Sequence, residues 1–209
     1  MCGRFYVSAE VKALLREYFR RVKAGEIKLP LSGGMTADAV EPHYDVRPTH
    51  AVHVLAADGL GLMRWGFQPG WADKIIINAT CEKLGGRFWK RMFAGQRGLV
   101  PCSGWFEWTG KAGSKQAHAL HATEPVALGA VWLDDAEHGR SFAVVTAPAA
   151  PGILGIHARM PVLVPQGRWA DWLTDPEAAQ GLAATYTGKV ETFACASPKF
   201  DHAPSPIKT

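Results

Sequence analysis

The chain lacks a long apolar segment. Its 209 residues are 47% hydrophobic and 20% charged, but no apolar run reaches the roughly 18 to 20 residues that a membrane-spanning helix needs. The N-terminus also lacks the apolar core of a secretion signal, because charged or polar residues interrupt it from Arg4 onward. We therefore expect a cytoplasmic protein with no membrane partner.

Paired cysteines and phosphate-binding loops are missing as well. The four cysteines, at positions 2, 81, 102 and 195, lie far apart with no CxxC pair, so neither a disulfide framework nor a zinc site is indicated. No glycine-rich loop joins a strand to a helix, which argues against a nucleotide-binding α/β fold. At 209 residues the chain suits one domain, over residues 1–209. We expect this domain to be a monomer without a metal or cofactor.

Basic and aromatic residues are well represented. The formal net charge is +4 with a sequence pI near 8.9, and there are eight tryptophans. This balance permits a polyanionic partner without requiring one. Several tryptophans have glycine or arginine neighbours, as a base-stacking surface would need, although large aromatic side chains more often belong to a core.

The pattern of apolar residues predicts one clear helix followed by many short strands. Ser8 is the expected cap of a helix that has apolar residues at the 3.6 period and ends at Gly25. Residues 30–43 show no periodicity and are expected to form a mobile loop. Later helices are expected over about 84–94, around Trp169 and Trp172, and after Pro176. Strands are expected at 44–47, 51–56, 60–66, 75–79, 97–101, 104–109, 117–122, 126–133, 141–146, 161–164 and 190–195.

This order of elements favours the α+β class. Many short strands at close spacing, with scattered helices, are typical of antiparallel sheets that close into a barrel-like core. We therefore expect antiparallel sheets around a barrel-like core with a few flanking helices.

The N-terminus carries the most unusual chemistry. Removal of Met1 would make Cys2 the first residue and place an amine and a thiol on the same α-carbon. Such a 1,2-aminothiol condenses with an aldehyde to a Schiff base, and the sulfur then closes a thiazolidine ring. The alternative is that Cys2 is simply a small buried residue.

Three other polar residues stand where a strand would normally carry apolar ones. Asn78 ends a strongly apolar run, Glu107 lies among three aromatics in GWFEW, and His157 stands beside an arginine before a predicted strand. A buried Glu107 would have a raised pKa, which suits proton transfer near neutral pH. The structural alternatives are a turn asparagine, a solvent-exposed glutamate and a histidine with a packing role.

Taken together, these residues resemble a known family. The resemblance rests on a set of motifs that covers nearly the whole chain in the order MCGRF, WGF and PGW, INA followed by Glu82, GWFEW and IHARMP. As a set they are similar to the SRAP family, the SOS-response-associated peptidases, which are abasic-site-processing proteins. The resemblance implies the SRAP-type fold, and covalent capture of an abasic site in single-stranded DNA during the response to DNA damage.

The resemblance also implies a role for each site residue. Cys2 would form the thiazolidine with the ring-opened sugar, Asn78 would orient the amine or the sugar oxygen, and Glu107 would move protons. His157 would act as acid or base in strand cleavage (a lyase activity) or in reversal of the link. The DNA contacts it implies are phosphate contacts by Arg4 and Arg159, and base stacking or wedging by Trp71 and Trp108.

The chain departs from the family pattern at three places. The usual Asn-Ala-Arg reads Asn78-Ala79-Thr80, which removes an arginine from the DNA side, and the usual His-Asp-Arg reads His157-Ala158-Arg159. An Asn-x-Ala-Pro segment appears here as Asp45-Val46-Arg47-Pro48 and adds an acid and a base. Because the four core residues persist, we expect the capture chemistry to persist.

Two other functions remain open from the residues. Cys2, His157 and Glu107 could form the nucleophile, base and orienting acid of a thiol peptidase, with self-removal of Met1 as its mildest form. Alternatively, Arg4, Arg159 and the tryptophans could serve a non-catalytic module that binds single-stranded DNA. A covalent product with abasic DNA would separate capture from both alternatives.

Overall fold

Short strands dominate the structure, as the sequence pattern predicts. The structure, a computed structural model, describes residues 2–30, 33, 36–184 and 186–207. Within these residues the strands are β1 (Phe5–Val7), β2 (His43–Val46), β3 (Ala51–Ala56), β4 (Gly59–Trp65), β5 (Asn78–Thr80), β6 (Arg97–Pro101), β7 (Gly104–Thr109), β8 (Gln116–Ala122), β9 (Val126–Asp135), β10 (Gly139–Pro148), β11 (Arg159–Pro161), β12 (Leu163–Pro165) and β13 (Val190–Cys195). The α-helices are α1 (Glu10–Lys23), α2 (Trp89–Gly95), α3 (Trp169–Thr174) and α4 (Pro176–Leu182).

Five strands close into a barrel. Strands β10, β4, β3, β6 and β9 pair in this order, and β9 pairs again with β10 over six residues. All of these pairings are antiparallel except the short parallel contact of β4 with β10. The expected α+β class with a barrel-like core is confirmed.

A second, five-stranded sheet packs against the barrel in the order β13-β8-β7-β1-β2. Its inner face carries Phe5, Trp105 and Leu120, which are fully buried in the main core. Its outer face carries Tyr6 and Phe106, which belong to a separate small apolar cluster. The two faces alternate along each strand, because successive side chains of a strand point to opposite sides. An odd-numbered position in β7, such as 107, therefore faces the barrel.

Helix α1 covers one side of the core with its periodic apolar face. Val11, Leu15 and Tyr18 are buried, and the Tyr18 ring packs against Trp169 with centroids 4.9 Å apart. The predicted cap was wrong, because the N-cap is Ala9 and makes no side-chain cap bond. The Ser8 hydroxyl instead lies 2.6 Å from Ser103 Oγ and bonds the Glu10 carboxylate.

Helix α1 is followed by a glycine stop and then by the segment that was expected to be a mobile loop. Gly25, the predicted stop, has a φ of +74°, a left-handed conformation that glycine adopts without strain. In the region 30–43, residues 31, 32, 34 and 35 lie outside the described residues, so the expected mobility stays a prediction. Its later part contains a 3₁₀ turn at Ala37–Ala39, and Ala37 and Val40 are buried in the core.

Several predicted boundaries moved for identifiable reasons. Strand β1 was missed because only three residues form it. The apolar run predicted as a strand over 75–79 yields strand only from Asn78, because Ile76 forms an isolated bridge with Phe67 instead. The predicted strand at 161–164 divides into β11, which pairs with β10, and β12, which pairs with β9. The predicted helix over 84–94 is the shorter α2.

The Trp65-Gly66 pair lies at the junction of these elements. Gly66 has a φ of +96°, and a Cβ at this position would lie 2.7 Å from the Ile75 side chain. The glycine therefore lets the loop before β5 pack directly on the end of β4. Among the described residues, no helix has both the length and the apolar character needed to cross a membrane.

Candidate functional site

Cys2 lies at the centre of the fold. Strand β1 is inserted between β2 and β7, and the backbone N–H of Phe106 donates to the Arg4 carbonyl at 3.0 Å. This pairing fixes the chain at Arg4, and Cys2, two residues earlier, lies in the main core. Cys2 is fully buried, with its Sγ 3.9 Å from the Arg4 carbonyl oxygen. Met1 lies outside the described residues.

Asn78 ties Cys2 to the barrel. Strand β5 pairs in parallel with β10, with Asn78 opposite Val144, so the amide extends from the barrel toward the N-terminal residue. The Asn78 Nδ2 donates to the Cys2 carbonyl oxygen at 2.9 Å. Its Oδ1 is buried and has no hydrogen-bond partner among the described residues. Asn78 therefore orients the backbone of Cys2 and keeps one acceptor available for a group that enters the site.

Glu107 brings a carboxyl group to the same space. It lies on the inner face of β7, two residues from Trp105, and is only 3% exposed. Burial raises the pKa of Glu107, and the nearby His157 opposes part of that rise. One oxygen, Oε1, has no hydrogen-bond partner among the described residues. A carboxyl group in this setting holds its proton closer to neutral pH than a surface glutamate does.

The thiol of Cys2 responds to the same environment. Burial raises the pKa of Cys2 well above its ordinary value, and the charges of Glu107 and Cys102 raise it further. The thiol is therefore protonated at neutral pH. The sulfur can attack only as the thiol proton moves to another group, because the thiolate is the nucleophile. Glu107, which acts electrostatically on this thiol, is the candidate acceptor.

His157 approaches from the segment before β11. Its Nδ1 accepts the backbone N–H of Arg159 at 2.9 Å and lies 2.9 Å from the carbonyl oxygen of the same residue. When Nδ1 acts as acceptor, a neutral imidazole carries its proton on Nε2. The ring is half-buried, and its electrostatic effect on Glu107 places the two groups in one site. Cys2, Asn78, Glu107 and His157, which lie far apart in the sequence, are thus brought together.

The predicted phosphate contact Arg159 is engaged in an ion pair. Its Nη1 and Nη2 lie 2.6 and 3.0 Å from the two carboxylate oxygens of Glu82, and Nη2 also donates to the Thr146 carbonyl at 2.6 Å. The hydrogen bonds from Arg159 are the main reason that the pKa of Glu82 falls to about 2. A phosphate that binds Arg159 would therefore have to share the guanidinium with Glu82.

Arg4 is paired in a similar way. Its Nη1 lies 3.3 Å from Oδ1 of Asp45, and Asp45 also bonds Arg47 through its other oxygen. Asp45 is only 4% exposed, so a buried carboxylate lies between two arginines. The guanidinium carbon of Arg4 lies 5.4 Å from the ring centre of Trp108, which is half-buried. Arg4 and Trp108 thus form one unit on the outer side of β1 and β7.

Trp71 lies on another element, in the loop between β4 and β5. Its side chain is 66% exposed, and its ring meets Phe88 edge to face with centroids 4.9 Å apart. This geometry leaves the ring available to a partner.

Sequence reasoning missed three neighbours of the site. Cys102 is buried and acts electrostatically on Cys2, Thr146 accepts from Arg159 through its carbonyl, and His118 is the cross-strand partner of Glu107 on β8. These residues sit in ordinary apolar or strand patterns, and only the pairing of distant strands reveals their position. Over the described residues, no cluster of His, Cys, Asp and Glu is arranged to hold a metal ion.

Two bacterial proteins of known name resemble this chain over most of its length. A relative from Escherichia coli (strain K12), the abasic site processing protein YedK, is 28% identical over 186 residues, covering 83% of this chain and 79% of that protein. The abasic site processing protein YoqW of Bacillus subtilis (strain 168) is 25% identical, covering 89% of this chain and 88% of that protein.

Solved structures share the fold. The crystal structure of a protein from Bacteroides thetaiotaomicron has a TM-score of 0.73 at 18% identity, covering 93% of this chain and 92% of that chain. A phage-related protein from Bordetella bronchiseptica has a TM-score of 0.67 at 22% identity, covering 94% of this chain and 95% of that chain. The sequence profile of the SOS response associated peptidase (SRAP) family matches residues 1–197. The chain therefore belongs to the SRAP family.

Proposed function

We propose that this protein processes abasic sites in single-stranded DNA by capturing the sugar aldehyde covalently on Cys2. The observation that carries the proposal is that a buried carboxyl group, Glu107, acts electrostatically on Cys2, whose backbone is held by Asn78. The names of the curated relatives, which are abasic site processing proteins, support the choice of substrate.

The first step forms an imine. Once Met1 is removed, the α-amine of Cys2 attacks the aldehyde carbon of the ring-opened deoxyribose. An α-amine with an ordinary pKa near 7.7–8.0 is free base in roughly a tenth to a fifth of the molecules at pH 7. The resulting carbinolamine loses water when a proton reaches its oxygen, and Glu107 would deliver that proton, which leaves a protonated imine and the carboxylate form of Glu107. Asn78 keeps the Cys2 backbone oriented, and its Oδ1 would accept from the incoming sugar hydroxyl.

The second step closes the ring. The sulfur of Cys2 adds to the carbon of the protonated imine, the π electrons of the C=N bond move to the nitrogen, which already carries its proton, and the thiol proton is released. Because burial raises the pKa of this thiol, the proton must be taken up as the sulfur attacks. The carboxylate form of Glu107, produced in the first step, would take up this proton and return to the protonated form. The product is a thiazolidine that joins protein and DNA.

The remaining residues would act on the DNA around this linkage. His157 would serve as acid or base in strand cleavage from the imine or in reversal of the link, through the ring nitrogen that does not bond Arg159. Arg4 and Arg159 would contact phosphates, sharing their guanidinium groups with Asp45 and Glu82. Trp71 and Trp108 would stack on bases next to the missing one.

A thiol peptidase requires a different electrostatic setting. Catalytic cysteines in such enzymes have a lowered pKa, so that the thiolate is available near neutral pH. Here burial raises the pKa of the Cys2 thiol instead. This difference favours amine-first capture of an aldehyde over direct attack by sulfur on a peptide bond.

The test is a cross-linking assay with an abasic oligonucleotide, followed by denaturing electrophoresis. The wild-type protein should give a heat-stable adduct without reductant, and Cys2→Ala should give none, because an amine alone forms only a hydrolysable imine. Borohydride should still trap the mutant. Cys102→Ala is the matched control, since it removes a neighbouring buried thiol that has no free α-amine. A heat-stable adduct from Cys2→Ala without reductant would refute the proposal.

A further inference from the structure

A cavity lies between the barrel and the β1–β2 end of the five-stranded sheet. Its volume is about 210 Å³, and its lining comes from β1 and β2, from the barrel strands β3, β4 and β6, from residues 39–43 and from Phe200. Cys2, Asn78, Glu107 and His157 are not among the described residues that line it. The cavity is therefore separate from the candidate capture site.

The walls of the cavity are apolar. Phe5 and Val46 are fully buried, and Val7 is 7% exposed. The cavity reaches the surface beside Leu62 and Phe200, whose side chains are 51% and 63% exposed. An apolar cavity of about 150 Å³ is large enough to bind benzene. The larger space found here fits a benzene ring that carries one or two small substituents.

The described lining presents no uncompensated charge. Glu41, at the rim, is paired with Lys12, whose Nζ lies 2.7 Å from its Oε1. Burial lowers the pKa of both lining histidines, His43 and His53, and the neighbouring His50 lowers that of His43 further. Both imidazoles are therefore neutral at pH 7. A ligand that matches this lining is uncharged.

One polar atom of the lining is left without a partner. Nε2 of His53 is buried and has no hydrogen-bond partner among the described residues, whereas Nδ1 of His43 accepts the backbone N–H of Asp45 at 3.2 Å. A buried polar atom without a partner costs free energy, and a ligand that bonds it recovers that cost. A hydroxyl group both donates and accepts, so it can bond either tautomer of a neutral imidazole.

Aromatic rings line the cavity on more than one side. The ring of His43 meets Phe200 edge to face with centroids 4.5 Å apart, and Phe5 and His53 add two further rings. Aromatic rings pack well against one another in edge-to-face or offset arrangements. The lining therefore favours a planar aromatic ligand over an aliphatic one.

We propose that this space, here named the β2 cavity, is a binding site for a small uncharged phenol, an aromatic ring that carries one hydroxyl group. The ring occupies the apolar space between the barrel and the sheet, and the hydroxyl bonds Nε2 of His53. The ligand enters between Leu62 and Phe200. The inference goes beyond the proposed function and does not depend on it, because no residue of the Cys2 site takes part.

The test compares two probes of the same shape, para-cresol and para-xylene. A methyl group in para-xylene takes the place of the hydroxyl in para-cresol. An NMR titration of the wild-type protein with para-cresol should give saturable shifts of the backbone amide signals of Val7, Val46 and His53, which belong to the lining. A titration with no saturable shift at these residues would overturn the proposal.

His53→Phe tests the hydroxyl contact, because it keeps a ring at this position and removes the nitrogen. It should weaken para-cresol binding by about threefold to tenfold, the value of one hydrogen bond, and leave para-xylene binding unchanged. His121→Phe is the matched control, since His121 is a half-buried strand histidine outside the described lining, and it should bind both probes as the wild type does. An equal loss of both probes in His53→Phe would contradict the proposal.

Two further variants test where the probe binds. Ala51 is exposed and lines the cavity, so Ala51→Phe should reduce the binding of both probes while the protein keeps its wild-type Tm. Unchanged binding by this variant would count against the β2 cavity. Cys2→Ala should bind para-cresol as the wild type does, although it forms no heat-stable adduct with abasic DNA. Loss of para-cresol binding in Cys2→Ala would place the probe in the capture site and refute the inference.

Discussion

Glu107→Gln separates a catalytic carboxyl group from a structural one. In the structure this side chain is 3% exposed, and one of its oxygens has no hydrogen-bond partner among the described residues. The substitution keeps the size and shape of the side chain but removes its ionisation. We expect the variant to be more stable and less active than the wild-type protein, a combination that is typical of residues kept for function.

The stability change should depend on pH. Burial raises the pKa of Glu107 above its ordinary value of 4.5. In the wild-type protein the folded state is therefore favoured over the unfolded state while the carboxyl is protonated. That contribution is fully present below about pH 4.5 and is lost as the pH rises through the raised pKa in the folded state. Glutamine is uncharged throughout. The variant should therefore match the wild type near pH 4 and exceed it in stability at pH 8.

The expected size follows from the unmet hydrogen bond. A buried polar group without a partner costs about 1–3 kcal/mol, and a charged one more, so removing only the charge should gain on the order of 1 kcal/mol at pH 8. For a chain of this size such a gain raises Tm by about 2–4 °C. The rate of adduct formation should fall by about 10²–10⁴, the range for a lost general acid or base.

Thermal melts at pH 4 and pH 8, combined with single-turnover cross-linking, check both effects. Affinity for an undamaged single strand should stay near the wild-type value, since the buried carboxyl is not one of the proposed phosphate contacts. Glu137→Gln is the control, because this carboxyl is on the surface with its side chain 84% exposed. A lower Tm at pH 8 together with an unchanged rate would mean that Glu107 makes a stabilising contact and takes no part in the chemistry.

Three other predictions address the site. Asn78→Ala should lower the free energy of unfolding by about 0.5–1.5 kcal/mol, the value of the lost hydrogen bond to Cys2, which a thermal melt would show as a lower Tm. It should also slow adduct formation even at saturating DNA, and a wild-type rate would limit Asn78 to a structural role. Thr80→Arg should steepen the salt slope for single-stranded DNA by about 0.7, one phosphate contact, and a titration in which the slope does not change would mean that position 80 faces no phosphate. A residue inserted between Met1 and Cys2 should abolish the adduct, because the Cys2 nitrogen becomes a peptide amide; intact-mass analysis must accompany the gel, and full capture by a chain that retains the extra residue would exclude the amine as the attacking group.

Local patterns were sufficient for most of the secondary structure. Helix α1 was predicted because Val11, Leu15 and Tyr18 follow the helical period, and the structure buries these three residues. Strands β3, β6 and β7 begin and end where alternation and turn residues indicated. The errors fell at places where distant contacts decide. Ser8 bonds Ser103 rather than capping α1, and the run before Asn78 turns away from strand pairing to bridge Phe67.

The residues of the candidate site could be predicted from the sequence, but their grouping in space could not. The motifs singled out Cys2, Asn78, Glu107 and His157, because each places a reactive or polar group where an apolar residue would be expected. That these four meet in one space depends on the insertion of β1 beside β7 and on the parallel pairing of β5 with β10. No local pattern encodes either pairing.

The sequence by itself therefore determined the chemistry that is available, namely an aminothiol precursor, a carboxyl, an amide and an imidazole, together with the class of the fold. Only the tertiary structure decided which of these groups are buried, and burial sets their behaviour. It raises the pKa of Cys2 and of Glu107, and the pairing of strands places Arg4 beside Asp45 and Arg159 beside Glu82. The physical reason is that desolvation and ion pairing depend on which distant segments surround a group, and a chain read residue by residue does not contain that information.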